Sequence, residues 1–96
     1  MSKLEFIEVF KKRTKKLSID IILLLNTQKK SPAINVITYQ LIKSATSTAA
    51  NYRASCIARS KKEFYAKMSI TAEEADETVF WLEILLDSKL IEEESI

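Results

Sequence analysis

Three carboxylates and one thiol are the side chains of this sequence best placed to do chemistry. Glu73, Glu74 and Glu77 fall within about one helical turn, a spacing that lets carboxylates of a helical bundle hold metal ions. The sequence contains no histidine, so the Glu-x-x-His pairs of di-iron bundles cannot form. Cys56, the only cysteine, has neither an imidazole to activate its thiol nor a second cysteine for a disulfide. We therefore expect a non-enzymatic protein with no metal, no cofactor and no catalytic residue, in a reducing cytoplasm.

A second group of side chains is cationic and could bind phosphate. Four lysines lie close together, Lys11, Lys12, Lys15 and Lys16. On a helix they occupy an arc opposite an apolar stripe that includes Phe10. An ordinary solvated face is the simplest interpretation. Clustered lysines without neighbouring acids are also what a phosphate backbone attracts, and because no base-reading motif accompanies them, such binding would be non-specific.

Further cations follow later in the chain. Arg59, Lys61 and Lys62 flank the expected start of a helix, where the helix macrodipole disfavours positive side chains and free N–H groups could hold an anion. A small penalty tolerated at the surface explains them as well. The candidate nucleic-acid-binding residues are Lys11, Lys12, Lys15, Lys16, Lys43, Arg53, Arg59, Lys61 and Lys62.

The charge is strongly asymmetric along the chain. Residues 1–62 carry 13 Lys and Arg against 3 Asp and Glu, and residues 63–96 carry 2 against 10. The net charge of +2 therefore hides one segment of +10 and another of −8. Such a division suggests either a polyanion partner or complementary contacts between helices and between subunits. Both interpretations remain open.

These side chains must be positioned by helices. The sequence has no glycine and one proline, Pro32, whereas tight hairpin turns normally need residues with positive φ. Helix starts are indicated at Ser2 and Ser60, each followed by glutamate three residues later, and at Ser31, which precedes the proline. We predict an all-α, antiparallel up-down helical bundle of the four-helix-bundle type, with a fourth helix that is short or truncated. One domain over residues 1–96 would hold helices at about 3–26, 32–55 and 61–88 and the stub of a fourth from about 90.

Apolar stripes at spacings of three and four predict which helix faces pack together. The stripe of the first helix comprises Phe6, Phe10, Leu17, Ile21 and Leu24, and that of the second Ile34, Ile37, Leu41, Ala45, Thr48 and Tyr52. The third stripe comprises Phe64, Met68, Ala72, Ala75, Val79, Leu82 and Leu86. Four apolar residues outside the third stripe are interpreted as an oligomer interface, namely Phe80, Trp81, Ile84 and Leu85.

No stretch of the sequence predicts membrane insertion or export. The longest apolar run covers residues 21–25, far short of the roughly 20 residues that a spanning helix needs. Residues 1–5 begin a charged helical pattern rather than a signal peptide. We expect a cytoplasmic protein that has no membrane partner.

Three segments resemble a known bacterial family. Residues 40–55 (Q-L-I-K-S-A-T-S-T-A-A-N-Y-R-A-S) are similar to the pattern Q-L-x-R-(S/A)-A-x-S-I-x-x-N-I-x-E-G, and residues 59–64 (R-S-K-K-E-F) to R-S-x-x-(E/D)-F. Residues 70–83 resemble I-A-x-G-S-x-x-E-x-x-x-W-L-E. The family is that of the ribosomal-RNA intervening-sequence proteins. Ala54 and Ser55 stand where the family usually has glutamate and glycine, so any role of that glutamate does not carry over.

The resemblance implies a four-helix up-down bundle that assembles into homo-oligomers, in relatives ring-shaped pentamers. Relatives also accompany reverse transcriptases of diversity-generating retroelements, where a basic surface is expected to engage nucleic acid. Residues 89–96 resemble the opening turns of the family's fourth helix. Two functions remain open for this chain. One is a homo-oligomeric scaffold, a ring of the pentamer type, that binds RNA or DNA non-specifically through a basic surface, and the other is a scaffold for a protein partner with no role for nucleic acid.

Overall fold

The fold, seen in a computed structural model, is described over residues 1–91. It contains three α-helices, α1 (Lys3–Asn26), α2 (Pro32–Cys56) and α3 (Lys61–Asp87). All regular secondary structure in this part of the chain is helical, which confirms the all-α prediction. The helices begin and end within one residue of their expected positions. None of them, over the described residues, combines the length and the apolar character that crossing a bilayer requires.

Each helix begins at a serine that caps it. Ser2, Ser31 and Ser60 each accept, through Oγ, the backbone N–H of the residue three positions later, at 3.0 to 3.1 Å. Pro32 occupies the first position of α2, where a backbone N–H is not needed. Because these bonds satisfy donors that a helix leaves unpaired at its start, they define the three boundaries locally. The helix starts predicted at these serines are confirmed.

The second helix lies at the centre of the bundle. α2 packs against both α1 and α3, whereas α1 and α3 make few direct contacts with each other. The Phe10 ring meets Tyr52 near the end of α2, and Ser18 meets the backbone of Ala45 nearer its middle, so α1 and α2 are antiparallel. Residues 57–60 then reverse the chain into α3. Consequently α1 and α3 run parallel to each other and begin at the same end of the bundle.

A fourth helix is not observed within residues 1–91. After α3, Lys89 adopts a left-handed conformation (φ 59°) that turns the chain. Leu90 and Ile91, which the sequence assigns to the start of a fourth helix, form a bend instead. Ile91 returns to the apolar core. The remainder of the expected stub, residues 92–96, lies outside the described residues.

Large apolar side chains gather at one end of the bundle, which we call the core end. At this end α1 finishes, α2 begins and α3 finishes. Leu41 and Leu85 leave 0% of their surface exposed. The buried cluster consists of Ile21, Leu25, Ile34, Ile37, Leu41, Ala45, Leu85 and Ile91. Because apolar burial is the main favourable contribution to folding, the core end is where most of the stability of the bundle originates.

Small polar side chains form the helix contacts along the middle of the bundle. Ser18 Oγ lies 3.1 Å from the carbonyl oxygen of Ala45. Thr78 Oγ1 lies 3.0 Å from Ser44 Oγ, which joins α3 to α2. In the described part of the chain, every buried side-chain polar atom has a hydrogen-bond partner. Small residues at these positions let the helices approach closely while their hydroxyl groups remain satisfied.

The apolar stripe predicted for α2 is confirmed completely. All six of its residues are buried, namely Ile34, Ile37, Leu41, Ala45, Thr48 and Tyr52. Because α2 has a helix on each side, every residue of its stripe meets a neighbour.

The stripe predicted for α3 is rotated from the face that contacts α2. Thr71, Thr78 and Leu85 are the buried residues of this helix, whereas Val79 and Phe64 are exposed. The reason is that α2 presents small polar side chains at its middle, and Thr78 of α3 fits against one of them, Ser44. The assignment of Leu85 to an oligomer interface is therefore wrong, since Leu85 belongs to the core.

The stripe predicted for α1 is likewise rotated from the face that contacts α2. Thr14 and Ser18 are buried against α2, while Phe6 and Leu17 of the predicted stripe are exposed. Ile21 of that stripe is buried as predicted. Both outer helices thus turn small residues toward α2 and leave part of their apolar stripes uncovered.

Candidate functional site

The lysine cluster of α1 lies on the outer surface of that helix. Lys12, Lys15 and Lys16 are exposed, and Lys11 is half-buried. Two of the four form ion pairs within α1. Lys11 Nζ lies 3.6 Å from a carboxylate oxygen of Glu8, and Lys16 Nζ lies 2.6 Å from one of Asp20. The expectation that no acids lie nearby is therefore wrong for these two. Such surface pairs stabilise a helix by only a few tenths of a kcal/mol, so the cluster remains available to an anion.

Arg53 extends this surface onto α2. The ring centroids of Phe10 and Tyr52 are 4.6 Å apart, which brings the adjacent residues Lys11 and Arg53 to the same level of the bundle. Arg53 and Lys43 are both exposed. Lys43 is separated from Arg53 by about 15 Å along the helix axis and lies nearer the level of Ser18, whose hydroxyl group bonds the carbonyl of Ala45.

The remaining predicted cations lie at the end opposite the core end, which we call the open end. There α1 and α3 begin and α2 finishes. Arg59, Lys61 and Lys62 are exposed. A surface cleft of about 400 Å³ is lined by Lys3 together with Arg59 and Lys61. Arg59 Nε lies 3.7 Å from a carboxylate oxygen of Glu63, a loose contact because the arginine side chain is almost fully exposed.

Aromatic side chains border these cations. Phe64 and Tyr65 line the same cleft, with ring centroids 5.5 Å apart in an edge-to-face arrangement. Phe64 also lines an adjoining cleft of about 400 Å³, together with Phe6 and Tyr52. Phe6 is 53% exposed and Phe64 41%. Exposed aromatic rings beside cations are the arrangement on which nucleic-acid bases stack.

Lys3, Phe6, Phe64 and Tyr65 were not among the candidate binding residues predicted from the sequence. A signal for three of them was present, because the segment S-K-x-E-F occurs twice, at residues 2–6 and 60–64. Each copy begins a helix, and the two helices are parallel. The parallel arrangement places the lysine and phenylalanine of both copies at the open end.

Tyr52 and Cys56 form part of the wall of the second cleft. Burial of the Tyr52 side chain, and secondarily its contact with the Cys56 thiol, raises the pKa of the phenol above its ordinary value. The phenol therefore stays protonated at neutral pH. This wall presents an uncharged hydroxyl group beneath the exposed rings.

Comparison with known proteins places the chain in a family. The model of the family described as 23S rRNA-intervening sequence protein matches residues 7–96, which include nearly all of α1 and the whole of α2 and α3. This chain belongs to the 23S rRNA-intervening sequence protein family. The family resemblance seen in the sequence is thereby confirmed. No match was found among curated proteins or among solved structures.

The residues of this intervening sequence protein expected at an oligomer interface occupy different environments. Phe80 is 49% exposed and Ile84 is also exposed, so both are accessible to another chain. Trp81 is half-buried, and its Nε1–H donates to Glu77 Oε1 at 3.3 Å. Leu85, as described above, is in the core. Of the four predicted interface residues, Phe80 and Ile84 are thus the exposed ones, and Val79 beside them is exposed as well.

Glu73, Glu74 and Glu77 were considered as metal ligands in the sequence, from which no metal site was predicted. Among residues 1–91, no three His, Cys, Asp or Glu side chains are arranged to hold a metal ion. Glu77 instead accepts the indole hydrogen bond of Trp81. In this family member Glu77 thus makes a structural hydrogen bond, and Glu73 is exposed to solvent.

Proposed function

We propose that this intervening sequence protein is a non-enzymatic helical scaffold whose basic surface binds RNA or DNA non-specifically. The observation that carries the proposal is the presence of exposed cations on all three helices, from the middle of α1 to the open end. Lys12 and Lys15 belong to α1, Arg53 to the last turn of α2 and Lys61 to the first turn of α3. A surface of this kind neutralises several phosphates at once, which releases counterions and favours binding.

The geometry also supports the absence of sequence preference. Lysine and arginine side chains spread over separate helices can contact phosphates, which carry no sequence information. A helix that reads bases in a major groove would need a row of polar side chains on one face. The lysine cluster on the outer face of α1 is preceded by the carboxylate of Glu8 and followed by the apolar Ile19. Binding should therefore depend on salt far more than on sequence.

The decisive experiment compares two double variants of equal charge change. Lys12→Glu/Lys15→Glu alters the proposed surface, and Lys29→Glu/Lys30→Glu alters exposed lysines between α1 and α2 at the core end. Each lowers the net charge from +2 to −2. Fluorescence anisotropy with a generic duplex at low salt should show at least about tenfold weaker binding for the first variant and a smaller loss for the second.

Two results would contradict the proposal. One is a wild-type protein that binds neither duplex nor single strand at low salt, and the other is an equal loss in both double variants. In either case the alternative, a scaffold for a protein partner, would be favoured by the exposed apolar side chains Val79, Phe80 and Ile84. Light scattering on the same samples tests the accompanying proposal of a homo-oligomer, a ring of the pentamer type, which a monodisperse monomer would contradict.

A further inference from the structure

The outward faces of α1 and α3 carry the same pattern of residue types with opposite charge. On α1 two lysines are followed by two apolar residues at spacings of four, three and four, namely Lys12, Lys16, Ile19 and Leu23. On α3 two glutamates are followed by two apolar residues at the same spacings, namely Glu73, Glu77, Phe80 and Ile84. Such spacings place four residues on one side of a helix. We call these two sets the outer stripes of α1 and α3.

Both outer stripes point away from the rest of the bundle. Their members lie about 100° to 160° around the helix from the residue that bonds α2, which is Ser18 on α1 and Thr78 on α3. They also lie about 80° to 140° from Phe6 and about 140° to 180° from Phe64, which line the groove between α1 and α3. Their exposure therefore does not depend on what fills that groove.

The outer stripes are accessible to another molecule. Their apolar members leave 36% to 61% of their surface exposed. The charged members are exposed as well, except Glu77, which is half-buried. Each stripe thus offers two apolar side chains in consecutive turns, next to two charges of one sign.

We propose that the outer stripe of α1 in one copy of the chain binds the outer stripe of α3 in a second copy, with the two helices parallel. The two lysines then face the two glutamates, and the two apolar pairs pack against each other. The stripes cannot meet within one molecule, because both point away from α2, which lies between the helices. The proposal rests on the homo-oligomer of the proposed function and names the surfaces that hold its copies together.

The order of residue types selects the parallel arrangement. Antiparallel helices would place Lys12 and Lys16 against the apolar pair of α3, where charges are costly without partners. Parallel helices bring opposite charges together instead. Residues 68–87 contain no lysine or arginine, so no cation of this segment opposes the lysines of α1.

The contacts already present on the outer stripes do not prevent this pairing. Lys16 forms an exposed ion pair with Asp20, which it can exchange for Glu77 of another copy at little cost. Glu77 accepts the indole hydrogen bond of Trp81 through one carboxylate oxygen, Oε1, and its second oxygen can accept from a lysine.

The pairing keeps successive copies at one level. Ser18 and Thr78 contact adjacent residues of α2, so they lie at nearly the same height although they are 60 positions apart. The proposed pairs, such as Lys12 with Glu73, are 61 positions apart, so a neighbouring copy is displaced by only a few Å along the bundle axis. Because the two stripes are different surfaces, the contact is heterologous, and so small a displacement lets the copies close into a ring.

The test reverses the charges of each outer stripe separately and then together. Lys12→Glu/Lys16→Glu and Glu73→Lys/Glu77→Lys should each weaken self-association by at least about tenfold, because like charges then face each other. The protein with all four substitutions should recover most of the wild-type association. Sedimentation velocity at micromolar concentration and low salt measures the mass.

Lys29→Glu/Lys30→Glu is the matched control, because it makes the same change of charge outside the outer stripes. It should leave the mass unchanged. Circular dichroism verifies that each variant retains its helices. If Glu77→Lys disturbs the fold, Lys12→Glu and Glu73→Lys, alone and combined, repeat the test.

A second measurement locates the contact without changing charge. Leu23→Cys and Ile84→Cys proteins, each with Cys56→Ser and one of them with a mass tag, are mixed and oxidised by air with copper phenanthroline. The two thiols face each other between copies in the proposed contact, so a disulfide-linked mixed dimer should form. Tyr39→Cys, at an exposed position of α2, replaces Ile84→Cys as the control and should give at least about fivefold less mixed dimer.

The outcomes separate this contact from the proposed function. Recovery of mass in the protein with four substitutions, together with the mixed dimer, supports the contact. An oligomer that resists both charge reversals, or that is lost in both and not recovered, overturns the contact and leaves the proposed function intact. A monodisperse wild-type monomer overturns both the contact and the proposed homo-oligomer, while duplex binding by the same sample decides separately on nucleic-acid binding.

Discussion

At the core end Leu41 and Leu85 leave 0% of their surface exposed, whereas at the open end Phe6 and Phe64 keep 53% and 41%. The apolar side chains at the two ends are similar in size, but their surroundings differ. At the core end three helices and the returning Ile91 surround the cluster. Along their whole length α1 and α3 each contact α2 and scarcely contact each other. The comparison teaches that this bundle buries its large apolar side chains at one end and leaves aromatic side chains exposed at the other.

Charged residues occur at both ends, including the exposed Lys29 and Lys30 at the core end. Lys3, Arg59 and Lys61 line a cleft at the open end. The cluster at the core end is entirely apolar. Cations beside half-covered aromatic rings cost little, because water still solvates them, whereas a buried cation would be costly without a partner. Cations can therefore lie beside aromatic rings at the open end, where burial is incomplete.

The largest expected difference between the ends is in stability. Leu85→Ala removes a fully buried side chain and should lower the free energy of unfolding by about 3 kcal/mol, because it leaves a cavity in the core. Phe64→Ala, at the open end, should cost about 1 kcal/mol since its ring is already partly solvated. Urea denaturation followed by circular dichroism measures both. Equal losses of unfolding free energy in the two variants would contradict the difference in stability between the two ends.

An intermediate effect tests the polar contacts between the ends. Thr78→Val keeps the side-chain shape but removes the hydroxyl group that lies 3.0 Å from Ser44 Oγ, and should cost about 1 kcal/mol. Thr46→Val is the matched control. The Thr46 hydroxyl donates to a carbonyl of its own helix at 2.7 Å, but Thr46 is exposed and does not join two helices. It should change stability by less than about 0.5 kcal/mol. Similar denaturation midpoints for the two variants would show that the hydroxyl between α2 and α3 contributes nothing specific.

The smallest effect appears only at high pH. The pKa of Tyr52 is raised in the folded protein, chiefly by burial, so the folded state favours the neutral phenol. Its contribution to stability is therefore complete below the unfolded pKa of about 10 and is lost as the pH rises through the raised folded value. Denaturation midpoints of the wild type should fall above about pH 10, and Tyr52→Phe should remove part of that fall.

Tyr65→Phe serves as the control for the alkaline experiment, because Tyr65 is an exposed tyrosine of the open end. It should leave the decline of the wild type unchanged. A Tyr52→Phe protein with the same alkaline decline as the wild type would show that Tyr52 is not the group responsible.

The success of sequence reasoning differed between the helices for a physical reason. The stripe of α2 was predicted in full, because a central helix has neighbours on both sides and buries everything on its inner face. The stripes of α1 and α3 were predicted less well. Each of these helices has one main neighbour, so only one edge of its apolar stripe is covered, and Leu17 and Val79 remain exposed.

The candidate site was predicted in part as well. The exposed cations of α1 and of the α2–α3 connection were identified from their clustering, since charged side chains nearly always lie at the surface. Lys43 was included with them and is also exposed. Phe6 and Phe64 were assigned to packing stripes, because periodicity alone does not distinguish a covered aromatic ring from an exposed one.

The sequence by itself determined the helix boundaries, because capping by Ser2, Ser31 and Ser60 involves atoms only three residues apart. It also determined the helical class and the family. Only the tertiary structure decided which faces turn inward, that Leu85 is core, and that the two S-K-x-E-F segments meet. Burial depends on segments far apart in the chain, and the small residues of α2 set how closely and at what rotation the outer helices approach it.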